Sequence, residues 1–317
     1  MTICCKEIGC VFLKLLLTGA FAYTDAQLQA IEALGYTPVF VQEERCALDV
    51  DCKSFDAAVC NSLFLYNDIA LFENLKFVQL TSAGLDRVPL DYMHDHGILL
   101  RNARGVYSVP MAEWVVLKLL EIYKASARFY ANQQARLWQK ERGLLELCGK
   151  TVCVVGYGSV GQAVAVRLKA FGCRVLAVDQ KLSVADESID GLYSVEQLDA
   201  ALAQSDAVVL TLPLTKETYH LFDAKRFSVM RAGSVFINVA RGGLADEQAL
   251  ISALQSGVLK GAALDVFENE PLFADSPLWK LDNVLLSPHN SFVSEQTQGR
   301  LFELIYTNLR AFARGEL

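Results

Sequence analysis

Several things this chain lacks narrow what it can be. It has no excess of positive charge: 29 Lys and Arg stand against 36 Asp and Glu, for a formal net charge of −7. That balance leaves no electrostatic footprint for nucleic acid or an anionic membrane. No two of its nine cysteines form a Cys-x-x-Cys pair, which argues against a metal site and for reduced, cytoplasmic thiols, with Cys153 acting as a small hydrophobe inside a strand. It also lacks an apolar run long enough to cross a bilayer. Residues 10–22 come nearest, but Lys14 interrupts them and they are too short to span. Although Ala20-Phe21-Ala22 has the look of a secretory cleavage site, residues 14–19 read better as the first strand of an α/β domain, which cleavage would destroy. Residues before Leu13 have no place in that scheme and are expected to form a terminal extension. The 317 residues suffice for two domains with separate cores, and small solutes are the expected partners.

What is present centres on residues 151–179. The run Thr151-Val152-Cys153-Val154-Val155 has the continuous apolar character of a strand covered on both faces. It enters Gly156-Tyr157-Gly158-Ser159-Val160-Gly161, followed by a helical pattern over 162–171. Gly156 suits the tight turn, Gly158 the close approach of backbone to a pyrophosphate, and Gly161 close packing of helix on strand. The first N–H groups of that helix and its dipole favour an anion there. A second strand over 174–178 ends at Asp179, near the roughly 20-residue spacing that places a carboxylate on the adenosine ribose. Strand, turn, helix and acid together predict a dinucleotide site. Asp179 repels a 2′-phosphate, which favours NAD over NADP, while Lys181, two residues on, supplies an opposing cation.

The remaining chain alternates strands and helices and so predicts parallel sheets. Before the dinucleotide unit, strands are expected over 14–19, 37–41, 56–60 and 77–80, with a helix over 24–34. Ser82-Ala83-Gly84 follows the last of these strands, at the edge where open α/β sheets place ligands. Its small residues fit either a carboxylate cradle or an ordinary turn. One long helix is expected over 107–130, with Pro110 in its first turn. After Asp179 come a helix near 195–203 and strands over 207–212, 234–239, 261–266 and 283–286. A helix over 246–256 lies among these, and a final helix over 294–312 is long enough to dock elsewhere.

Arg241, Glu270 and His289 each stand just after a strand of the second half. Reducing a 2-keto acid needs a cation for the carboxylate and carbonyl and a proton donor for the developing alkoxide. Arginine's planar fork suits the first task and histidine's pKa the second, with a carboxylate to hold the ring. The same placements also fit solvated or ion-paired side chains, and Asp265 fits either helix capping or a cofactor contact.

The motifs Asn238-Val239-Ala240-Arg241-Gly242, Ala263-Leu264-Asp265-Val266-Phe267-Glu268-Asn269-Glu270-Pro271 and Ser287-Pro288-His289 resemble the D-isomer-specific 2-hydroxyacid dehydrogenases. The resemblance runs collinearly through Ser82-Ala83-Gly84, Ala112-Glu113, the glycine turn and Leu212-Pro213-Leu214-Thr215. It implies Arg241, Glu270 and His289 as catalytic residues, with Arg241 on the substrate carboxylate and carbonyl and His289 as general acid/base paired with Glu270. Further substrate contacts are implied at Ser82, Ala83 and Gly84. The implied NAD contacts are Gly156, Gly158, Ser159, Val160, Gly161, Asp179, Leu212, Pro213, Thr218, Val239, Ala240, Arg241 and Asp265. The architecture implied is α/β, with two doubly wound parallel-sheet domains. A Rossmann cofactor domain, 105–289, is inserted in a flavodoxin-like substrate domain, 1–104 and 290–317. A homodimer joined through the cofactor domains is implied too. Asn290-Ser291 departs from the smaller or more apolar pairs common after the histidine.

Two relatives supply alternatives. C-terminal binding protein corepressors resemble the same family and act as NAD-sensing interaction modules, with terminal extensions longer than any expected here. Phosphoglycerate dehydrogenases typically carry arginine in the loop that corresponds to Asn61-Ser62-Leu63-Phe64-Leu65-Tyr66, which has no cation. A neutral loop predicts poor use of phosphohydroxypyruvate and better use of keto acids with small or apolar side chains. Equally, Leu63 and Phe64 fit core positions that say nothing of substrate, and another subunit could lend a cation.

Overall fold

The computed structural model describes residues 12–180 and 187–317. The expected N-terminal extension up to residue 11 and the cation Lys181 lie outside them. Two compact units emerge: one runs to Val106 and resumes at Glu295, and the other spans Tyr107–Ser294.

The first unit is built on β1 (Leu13–Thr18), α1 (Asp25–Glu32), β2 (Tyr36–Val41), β3 (Ala57–Cys60), α2 (Leu63–Tyr66), β4 (Phe77–Leu80), α3 (Leu90–Asp95) and β5 (Leu99–Arg101). Its five parallel strands lie in the order β2-β1-β3-β4-β5, the flavodoxin-like winding. β3 and β4 are buried along their whole length, as strands covered on both faces must be. Thr24 caps α1 through a capping box with Gln27.

The second unit carries α4 (Ser108–Tyr123), α5 (Ser126–Gln134), β6 (Thr151–Val155), α6 (Ser159–Ala170), β7 (Arg174–Val178), β8 (Gly191–Tyr193), α7 (Leu198–Leu202), β9 (Ala207–Leu210), α8 (Ala224–Val229), β10 (Ser234–Asn238), α9 (Glu247–Gln255), β11 (Leu259–Leu264) and β12 (Val284–Leu286). Its seven-stranded sheet has the order β12-β11-β10-β9-β6-β7-β8. The direction of winding reverses between β6 and β9, at the crevice where such sheets bind dinucleotides. Two apolar clusters, one on each face, hold the sheet: Val152, Val154 and Ile237 pack with α4 and α6, and Cys153, Val208 and Phe236 with α7, α8 and α9.

The last helix, α10 (Thr297–Ala313), belongs to the first unit. Leu309 accepts from the Tyr36 hydroxyl at 2.8 Å, and Phe312 stacks on Phe77 with ring centroids 4.9 Å apart. Asn308 donates to the fully buried Gln79 at 2.7 Å, satisfying an amide that would otherwise be costly inside a sheet.

The single helix expected over 107–130 is two. Ala125 adopts φ 51°, which no α-helix accommodates, and so separates α4 from α5. No helix among the described residues is long and apolar enough to cross a membrane. Six cysteines among them are unpaired, and burial pushes the Cys153 thiol up to about 12.

Candidate active site

In the second unit, three glycines shape the β6–α6 turn for different reasons. Gly156 has φ 94°, and a Cβ there would lie 2.6 Å from the Leu212 backbone nitrogen. At Gly161 a Cβ would stand 2.2 Å from the Gly156 carbonyl oxygen, while at Gly158 it would meet nothing within 4 Å. The first and third glycines are therefore demanded by the fold. The second is not, which fits a position kept bare for something the chain itself does not supply. Ser159, Val160 and Gly161 begin α6, and their N–H groups have no partner in the helix ladder. Thr211 donates to the Gly156 carbonyl at 2.6 Å and so braces the turn, while Thr218 donates to the Pro213 carbonyl at 2.9 Å and braces the loop after β9. Asp179 accepts the Tyr157 N–H at 2.7 Å through Oδ2. That bond ties the end of β7 to the glycine turn and takes up part of the carboxylate expected to serve the ribose. These residues fit a dinucleotide: a bare strand-to-helix turn, an acid at the end of the next strand, and no cation among them.

Arg241 follows β10 and is fixed through its backbone. The side chain of Asn238, 2% exposed, accepts from Ala240 N–H at 3.0 Å and donates to the Arg241 carbonyl at 2.9 Å. Gly242 lets this loop press on the loop after β11, since a Cβ there would lie 1.9 Å from the Phe267 carbonyl carbon. In that second loop Glu270 accepts from Phe267 N–H at 3.1 Å through one oxygen and meets His289 Nδ1 at 2.8 Å through the other. Burial by itself raises the Glu270 pKa. The hydrogen bond and charge of His289, the Phe267 N–H and the charge of Arg241 outweigh it and hold the carboxyl below its ordinary value. The fold thus brings Arg241, Glu270 and His289 within electrostatic reach of one another.

His289 is itself held in an unusual backbone state, with φ 52°. Asp265 explains how. Its carboxylate is fully buried and accepts from the Ser287 hydroxyl, from Asn290 N–H at 2.8 Å and from Ser291 N–H at 2.9 Å. Its carbonyl accepts the His289 N–H at 2.8 Å. Asp265 therefore caps no helix; its carboxylate staples the histidine loop. The same bonds tie Asn290 and Ser291 to the second unit, which runs to Ser294. Asn290 and Ser291, the unusual pair after the histidine, act here through their main chain.

In the first unit, Ser82, Ala83 and Gly84 follow β4. Asn102 donates to the Ala83 carbonyl at 2.6 Å and Ser82 Oγ to the Gly84 carbonyl at 3.1 Å, which fixes the turn. The loop 61–66 is not neutral in its setting: Arg87 donates to Asn61 Oδ1 at 3.1 Å. The expected preference for small or apolar side chains rested on residues 61–66, which carry no cation themselves; Arg87 adds one beside them. Sequence reasoning missed Arg87 and also Glu44, which is 5% exposed and gathers Thr18 Oγ1, Asn61 N–H and Ser62 N–H. Nothing local marks either residue, because their partners lie 17 or more positions away. Asn238, by contrast, is a polar residue closing an apolar strand, β10, and that pattern is itself a signal in the sequence.

A family model described as "D-isomer specific 2-hydroxyacid dehydrogenase, NAD binding domain" matches residues 116–291. A glyoxylate reductase of Thermofilum pendens is 36% identical over 249 residues, 77% of this chain and 74% of that protein. The crystal structure of a D-isomer specific 2-hydroxyacid dehydrogenase from Xanthobacter autotrophicus, in complex with NADPH and MES, is similar with a TM-score of 0.80. It is 30% identical, with 95% of each chain covered. A D-lactate dehydrogenase from Aquifex aeolicus, complexed with NAD and lactic acid, has a TM-score of 0.78 at 26% identity, covering 95% of this chain and 96% of that one.

Proposed function

The chain belongs to the D-isomer-specific 2-hydroxyacid dehydrogenases, NAD(P)-dependent oxidoreductases that act on a CH–OH carbon, and on that footing we propose that it reduces a small 2-keto acid with His289 as general acid. The observation that carries the residue assignment is the 2.8 Å contact of Glu270 with His289 Nδ1, with the charge of Arg241 bearing on the same carboxylate. When bound, reduced nicotinamide supplies the hydride. Arg241 neutralises the substrate carboxylate and polarises the carbonyl. Glu270 occupies Nδ1, so the proton given to the nascent alkoxide is carried on Nε2. Hydride and proton together convert C=O to CH–OH and leave the oxidised cofactor. In the first unit, the N–H groups of Ala83 and Gly84 are the proposed carboxylate donors.

The glycine turn, the start of α6 and Asp179 are the proposed NAD contacts, with NADH used in preference to NADPH. Leu212, Pro213, Thr218, Val239, Ala240 and Asp265 are proposed to border the same cofactor, Asp265 and Thr218 also shaping the loops they stand in. We also place the enzyme in the cytoplasm, a reading supported by the unpaired cysteines among the described residues. It is proposed to be a homodimer. Support comes from α5, which has no buried residue, and from Leu137 and Trp138 just beyond it, the latter 98% exposed.

The test is turnover of a keto-acid panel, glyoxylate and pyruvate included, followed by NADH absorbance in the wild type and in His289→Ala. The substitution is expected to lower kcat by about two to four decades while NADH still binds. An unchanged kcat would remove His289 from this role. Binding of NADH without turnover of any keto acid by the wild type would favour an NAD-sensing interaction module instead.

A further inference from the structure

β3 and β4 pair in register up to Cys60 and Leu80, and Thr81 N–H donates to the Cys60 carbonyl at 2.9 Å. The loops that follow, 61–66 and 81–88, therefore leave the sheet side by side at its C-terminal edge. Arg87 reaches from the second loop to the first, where Nη1 donates to Asn61 Oδ1 at 3.1 Å and to Ser62 Oγ at 3.4 Å. Both partners are neutral and only one guanidinium nitrogen is engaged. Among the described residues Arg87 forms no ion pair, and Nε and Nη2 donate to no group. Glu44, the buried acid of this cluster, forms no ion pair with it among the described residues: its oxygens take Thr18 Oγ1 at 2.6 Å, Asn61 N–H at 3.1 Å and Ser62 N–H at 2.5 Å. Asp86, next along the chain, has an interaction of its own. The N–H groups of Ala83 and Gly84, in the same loop as Arg87, likewise donate to no group among the described residues.

A half-buried guanidinium braced by neutral acceptors keeps its remaining donors for an anion with paired oxygens. We infer that Arg87 selects substrate by its distal end: beside a carboxylate held on Ala83 and Gly84, it takes a second anionic group, carboxylate or phosphate, on a short 2-keto acid. This rests on the proposed function and names the substrate class of that site. The rival account is that Arg87 only ties two loops together. Such a tie would affect every substrate alike, whereas a distal contact is felt only by substrates that carry the distal charge.

The experiment compares kcat/KM for oxaloacetate, 2-ketoglutarate and 3-phosphohydroxypyruvate with that for glyoxylate and 2-ketobutyrate, in the wild type and in Arg87→Gln. The wild type is expected to favour a dianionic substrate over 2-ketobutyrate by about tenfold or more. Arg87→Gln should lose about 10- to 150-fold on that dianion, the range of a hydrogen bond to a charged group, and change less than about threefold on the monoanions. The carboxylate and phosphate arms decide which distal group is preferred. A wild-type preference for 2-ketobutyrate, or an equal loss on all five substrates, overturns the inference. Arg87→Lys keeps the charge without the planar fork and should retain part of the preference; it serves if the glutamine variant does not fold. A readout independent of turnover is calorimetric binding of D-malate against D-2-hydroxybutyrate to the NAD-loaded enzyme. Equal affinities in the wild type, or an equal loss for both in the variant, would also overturn it. Absence of turnover with every keto acid counts against the proposed function, and the calorimetric comparison still decides Arg87.

Discussion

His289 sits at φ 52°, a region open to histidine more than to most side chains but still costing on the order of 1–3 kcal/mol. Asp265 and Glu270 hold it there, one through the loop and the other through the ring. Because the Glu270 carboxyl lies below its ordinary value, its stabilising contribution is present above about pH 4.3, the unfolded value, and is lost as pH falls through the folded one. Catalysis samples the other partner. Glu270→Gln removes the charge facing Nδ1, so the pH limit for keto-acid reduction should move to lower pH, read from kcat/KM profiles. A profile that does not move would exclude Glu270 from the mechanism. At Asp179 the residue scale sets cofactor choice: its two oxygens offer only acceptors where a 2′-phosphate would sit. Asp179→Ala is expected to narrow the NADH preference over NADPH. Equal kcat/KM for the two cofactors in the wild type would show the preference does not exist.

The β6–α6 element separates what the fold needs from what a ligand needs. A Cβ at Gly161 would meet the Gly156 carbonyl at 2.2 Å, a backbone atom that cannot swing aside. Gly161→Ala should cost about 1–3 kcal/mol by overpacking, or about 2–12 °C in melting temperature for a unit of this size. At Gly158 the added methyl meets nothing within 4 Å. Gly158→Ala should therefore melt within about 2 °C of the wild type, since changes that meet no neighbour seldom exceed ~0.5 kcal/mol, yet bind NADH more weakly in a fluorescence titration. Undiminished NADH affinity in a folded Gly158→Ala would mean that no pyrophosphate approaches this turn. The glycine spacing was legible because strand, turn and helix follow one another without interruption. The break at Ala125 was not, since alanine favours helix and only the structure imposes its left-handed backbone.

For the whole molecule, two units with separate cores account for the chain, but a single copy leaves Tyr130, Leu137 and Trp138 at 62%, 57% and 98% exposure. A solvated tryptophan among other apolar side chains is costly to leave uncovered. Sedimentation equilibrium is expected to give twice the 35.0 kDa mass of the chain. The double change Leu137→Ser, Trp138→Ser should weaken the dimer without altering secondary structure by circular dichroism. A wild-type mass of one chain at micromolar concentration would refute the assembly.

Read by itself, the sequence determined the alternation of strands and helices, the dinucleotide turn and the placement of Arg241, Glu270 and His289 after strands. These depend on hydrophobic period and on residues near one another along the chain, which backbone geometry translates directly into local structure. Which groups meet across loops was decided only by the tertiary structure. Asp265 reaches Asn290 and Ser291, 25 and 26 positions on, and Arg87 reaches back 26 to Asn61. Both contacts exist because neighbouring parallel strands end level and release their loops side by side. Strand order and register, not periodicity, set that meeting, and a side chain's partners follow from it.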